Sequence, residues 1–166
     1  MKTLEFSPRP GGLPNDSARA YRPGTDLSSL AFAEQFLVWA MRAARLGKDR
    51  AYAHIRLTSA FAALDAPDAC ALLQRFVGLF EMELGRPLAA PCLKWRSLMA
   101  DEARVLTLIH DCQRASEGKR AMPPLPQDLS FSGQQLALSL SAAGLALRPV
   151  PDAPLAQWPE GMPQVH

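Results

Sequence analysis

Proline placement decides where this chain can be helical, because proline lacks an amide donor and clashes with the preceding helical turn. There are 15 prolines in the 166 residues, and they crowd both ends. Residues 1–25 carry Pro8, Pro10, Pro14 and Pro23, with Gly11, Gly12 and Gly24 among them. That density excludes a regular helix and leaves only Thr3–Phe6 for a short extended piece. From Arg148 onward, Pro149, Pro151, Pro154, Pro159 and Pro163 predict an extended tail. Between the two ends prolines are few, and each stands where a helix should stop or start.

The residues in between favour helix. Alanine and leucine are abundant, and both are strong helix formers. Aromatic residues make up only 7% of the chain, too few to suggest a sheet. A first helix is predicted from Thr25 or Asp26, both good caps after Pro23-Gly24, to Leu46, with Gly47 as its stop. A second covers about 48–64. Asp65-Ala66-Pro67 breaks it, and Pro67 suits the first turn of a third helix. The third should end at Leu84, before Gly85 and Pro87. A fourth is predicted over about 98–116 with Ser97 as its cap. A fifth is predicted over about 131–147 despite its serines and two glycines, which favour caps and loops over helix interiors. The expected fold is all-α: one domain, residues 26–147, built as a bundle of four to five helices. An irregular arm (1–25) and a proline-rich tail (148–166) flank it. With 48% apolar residues, a chain of this length can fold around one core without disulfides or metal.

The first helix carries more apolar surface than one contact face requires. Leu30, Ala33, Leu37, Ala40 and Ala44 form one stripe at helical spacing. Phe32, Phe36, Trp39 and Ala43 form a second. Either this helix is central to the core, or the second stripe docks another protein surface. Phe32, Phe36 and Trp39 are therefore the candidate partner-binding residues, and pairing with a second copy is their simplest use.

Nucleic acid is the alternative partner. Arg42, Arg45, Lys48, Arg50 and Arg56 cluster at the joint between the first two helices, with only Asp49 opposing. Arg86, Lys94 and Arg96 form a second group around Trp95, an aromatic that could stack on a base. The net charge of +2 is small for a dedicated nucleic-acid binder.

Catalytic signals are weak, and a non-enzymatic protein is expected. His110 and Cys112 lie two apart, so on a helix they point about 200° away from each other and cannot share an ion. No closely spaced ligand pair suggests zinc, and neither metal nor cofactor is expected. Cys92, in a loop with Lys94 and Arg96, is the best nucleophile candidate but lies in no nucleophile signature. The acid pairs Asp101/Glu102 and Glu81/Glu83 read as solvated surface groups. His54, on an otherwise apolar stretch of the second helix, is the place to look for a small ligand in the bundle. Three cysteines without a CxxC read as reduced thiols in a cytoplasmic protein. No run reads as a membrane span.

Overall fold

The structure is a computed structural model and describes residues 20–47 and 51–149. Thr3–Phe6, most of the N-terminal arm, Lys48, Arg50 and the tail beyond Pro149 lie outside those residues. Five helices make up the described chain: α1 (Phe32–Gly47), α2 (Ala51–Ala63), α3 (Pro67–Leu84), α4 (Ala100–Ser116) and α5 (Gln127–Ala142). No strand occurs among the described residues; one isolated antiparallel bridge joins Asp26 and Ser97. The all-α reading holds. No helix among the described residues is long and apolar enough to cross a membrane.

The third helix follows its punctuation. Pro67 fills the first turn after Ala66, and Gly85 closes the helix in the left-handed region at φ 67°. Its apolar spacing buries Ala69, Leu73, Phe76 and Phe80. The second helix is shallow by contrast, since Leu57 and Phe61 are its buried residues.

Two helix ends depart from the sequence reading. The first helix begins at Phe32, not at Thr25 or Asp26. Asp26 does cap, but it caps a short 3-10 turn, Leu27–Ser29, by accepting from the Ser28 amide at 2.8 Å. The chain just before that turn is spent on another partner. Gly24 N donates to Leu98 O, Leu98 N to Thr25 O and Leu27 N to Arg96 O, each at 2.8 Å. This extended pairing competes with helix for the same backbone groups and wins. At the other end, α5 runs Gln127–Ala142, not 131–147. Pro126 stands as its cap, and Gly144, at φ 75°, turns the chain out of the helix. Beyond the turn, Gln113 grips the exiting segment from both sides. Its amide donates to Leu145 O at 3.0 Å, and its carbonyl accepts from Leu147 N at 2.9 Å. Leu145 and Leu147 are thus buried as extended chain rather than as helix. The fourth helix starts two residues late, at Ala100, because Glu102 reaches back to accept from Met99 N at 2.9 Å.

The centre of the bundle is α4, packed against α1 and α5, with eleven buried residues. The first helix is therefore a boundary helix. It packs on α2, α3 and α4, and its Leu30-Leu37 stripe faces the core.

The tightest crossing is where α3, α4 and α5 meet at Gly133. A Cβ there would lie 2.9 Å from Cys112 Sγ and 3.1 Å from Phe76 Cε2. Alanine is worth about 1 kcal/mol over glycine inside a helix. Overpacking a filled core costs about 1–3 kcal/mol. Gly133→Ala is therefore expected to lower the thermal midpoint, and adding Cys112→Ala to recover much of the loss. A Gly133→Ala chain that melts with or above the wild type would show that the crossing has slack.

Candidate functional site

α1 buries Leu37, Val38, Ala40 and Met41 as a surface helix should, but it departs from the usual arrangement in not turning its charges to water. Two of its three charged residues, Glu34 and Arg42, are buried. Glu34 Oε1 accepts from the Tyr21 hydroxyl at 2.8 Å and from the backbone amide of Arg148. Burial, and then the bond to Glu34 and its charge, push the Tyr21 hydroxyl far above its ordinary pKa. Arg42 forms a bidentate pair with Glu102, Nε to Oε1 at 2.6 Å and Nη2 to Oε2 at 2.8 Å. Its remaining hydrogen bonds go to the carbonyls of Trp95 and Ser97. The third charge, Arg45, pairs with Glu81 at 3.1 Å.

What α1 turns outward is aromatic. Phe32 is 63% exposed, and Phe36 and Trp39 are half-buried beside it. The rings form a ladder. Phe32 stacks on Phe36 with centroids 6.0 Å apart, and Phe36 lies 5.8 Å from Trp39. Phe36 also meets Phe61 of α2 edge-on at 4.9 Å, which fixes the ladder to the bundle. The exposed neighbours are Ala31, just before the helix, and Gln35 on it, both uncharged. The three residues singled out by spacing therefore do lie together, half in and half out of the domain.

The basic joint fares differently. Arg42, its centre, cannot meet a phosphate, because it is 1% exposed and committed to Glu102 and two carbonyls. Arg45 is partly neutralised by Glu81. Arg56 is exposed but lies over the Tyr52 ring, 5.8 Å from its centroid. Lys48 and Arg50 lie outside the described residues. Of the described members of the joint, Arg42 is withdrawn into the core, while Arg45 and Arg56 remain at least partly exposed.

The reading of Asp101 and Glu102 as solvated acids is also corrected, since both are buried. Glu102 holds Arg42. Asp101 accepts two bonds from Arg86, at 2.6 and 2.9 Å, and one from Ala89 N at 2.9 Å. Burial alone would raise the Asp101 carboxyl. The bonds from Arg86 and Ala89, with the charges of Arg86 and Arg104, outweigh it and hold the group below its ordinary 3.8. A carboxylate held low stabilises the fold fully above its ordinary pKa and loses that contribution as pH falls through the folded value. Asp101→Asn is thus expected to be less stable at neutral pH and to lose less on acidification below about pH 4. Parallel acid-unfolding curves for the two proteins would contradict this.

The other chemical groups stay apart. Cys70 and Cys112 are buried, and Cys92 is exposed. Burial and the neighbouring Asp111 charge push the Cys112 thiol up to about 12, so it is no nucleophile. His54 and His110 line separate clefts. Among the described residues, no three His, Cys, Asp or Glu side chains are placed to hold a metal ion.

No known family, curated protein or solved structure matches this chain. The outward face of α1 presents an exposed ring, Phe32, continuous with two half-buried ones.

Sequence reasoning missed Glu34 and Arg42 as inward groups. A signal existed for the first. Glu34 stands at the same spacing as Leu30, Leu37 and Met41, so it interrupts the core stripe itself. A charge on a core stripe needs a buried partner. That partner, Tyr21, comes from a segment read as irregular arm.

Proposed function

We propose that the protein is a non-enzymatic helical interaction protein that pairs with a second copy of itself through Phe32, Phe36 and Trp39. One observation carries this reading: α1 turns Glu34 and Arg42 inward, while Phe32 stands exposed and Phe36 and Trp39, packed against the core on one side, stay half-exposed beside it. Burying charge is costly, and Glu34 and Arg42 meet that cost as ties to neighbouring segments, which leaves the aromatic face of α1 without charges of its own. An uncharged face is also suited to meet its own image. Two-fold pairing sets each patch against the same patch, and here no like charges would oppose each other. Aromatic side chains are the commonest energetic anchors of such contacts. A reducing, cytoplasmic setting fits an interaction protein whose thiols are unpaired, and a regulatory role through partner exchange would use the same face.

The test is Phe32→Glu. This side chain is exposed, so the change should leave the fold intact while placing two carboxylates against each other in the pair. Loss of an interface anchor costs about 2 kcal/mol or more, a dissociation constant raised at least about thirtyfold. Phe131→Glu, a comparably exposed phenylalanine on α5, is the control and should leave pairing unchanged. The reading fails if Phe32→Glu pairs as tightly as the wild type.

A further inference from the structure

A second face of α1, away from the aromatic ladder, closes one side of a groove shared with α2 and α3. Its lining is Ala44 and Arg45 from α1, His54 and Leu57 from α2, and Gln74, Val77 and Gly78 from α3. The space amounts to about 170 Å³. That is close to an engineered apolar cavity of about 150 Å³ that takes up benzene. Most of the wall is apolar, and the polar groups are few. Arg45, His54 and Gln74 all carry N–H donors, and no carboxylate is among the described residues that line the groove. Arg45 spends Nη1 on Glu81, and Gln74 donates only a weak contact to Cys70 Sγ at 3.9 Å.

Gly78 is the independent sign that this space is kept open. Glycine inside a helix is worth about 1 kcal/mol less than alanine. At Gly133 a close approach of neighbouring atoms explains the glycine. At Gly78 nothing does: a Cβ would meet no atom within 4 Å. Gln74, Val77 and Gly78 stand at i, i+3 and i+4 and so share one side of α3, the side that lines the groove. A side chain at this position would enter open space, so the glycine answers no close approach of neighbouring atoms.

We infer that this groove binds a small monocarboxylate with a compact apolar body. The body would fill the space between Ala44, Leu57, Val77 and Gly78. The carboxylate would face the donors of Arg45, His54 and Gln74. The Nη1 of Arg45 stays on Glu81, and the Nε–Nη2 edge of its guanidinium is the part that would meet the carboxylate. This site is separate from the α1 aromatic face, so either can fail without the other.

The test is an NMR titration of the full chain with benzoate. Binding should shift the amides of Ala44, His54, Leu57 and Gly78 and saturate at roughly millimolar concentration, as suits a ligand with few atoms. Benzamide has the same shape without the charge, and should bind at least about tenfold more weakly. Gly78→Leu should fill the groove and abolish the shifts while melting at or above the wild-type temperature, since leucine is the better helix former. Gly78→Ala, the milder change, should weaken binding without loss of fold. The inference is overturned if benzoate moves no groove amide, if benzamide binds equally well, or if Gly78→Leu binds like the wild type. It is also overturned if raising the concentration of the Phe32→Glu chain alone shifts the same amides, because a second copy would then be the occupant of the groove.

Discussion

Glu102→Ala is expected to destabilise the fold by about 3–5 kcal/mol, the usual cost of removing one partner from a buried ion pair. The reason lies with the group left behind. Arg42 would keep its charge in a site that is 1% exposed, with only the carbonyls of Trp95 and Ser97 to receive it. Glu102 also caps α4 through Met99 N, so the helix start would loosen as well. The pair joins three parts of the molecule: α1, α4 and the 95–97 segment. That segment is in turn hydrogen-bonded to residues 24–27. Replacing both partners, Arg42→Met with Glu102→Leu, should cost much less than Glu102→Ala alone, because no buried charge remains. Urea unfolding of the three proteins checks this. A Glu102→Ala midpoint close to the wild type would mean that water reaches Arg42 and that the pair is not an internal tie.

Phe61→Ala is the second large effect, also about 3–5 kcal/mol for a buried phenylalanine. Here the loss should be local as well as global. Leu57 and Phe61 are the buried residues of α2, so removing the ring takes away much of what holds that helix. The ring is also the edge against which Phe36 rests. Hydrogen exchange should therefore show α2 opening at lower free energy than α3 and α4, and the aromatic face of α1 should lose its backing. Self-association should weaken in the same variant even where it remains folded. Equal protection of α2 in the two proteins would show that α2 is held by contacts other than these.

What could be read from the residues, and what could not, follows the range of the interactions. The third helix was legible at both ends because Pro67 and Gly85 act on their own backbone. The true start of α1 was not, since Asp26 caps equally well whether a helix or a 3-10 turn follows. The choice was made by residues 96–98, some seventy positions along the chain. The end of α5 was hidden for the same reason, because Gln113 holds the segment after Gly144 from another helix. The aromatic ladder was legible as a stripe. Its orientation depended on which side α2, α3 and α4 covered. The inward turn of Arg42 was not legible at the basic joint, because sequence adjacency says nothing about which arginine finds a carboxylate. Arg42 found Glu102, 60 positions away.

Self-association through α1 is tested most directly by sedimentation velocity on the full chain over a wide concentration range, with Phe32→Glu run beside it. The wild type should move from the mass of one chain to that of two as concentration rises, and the variant should stay at one. A wild type that remains a single chain throughout, or a variant that pairs equally well, would contradict the account.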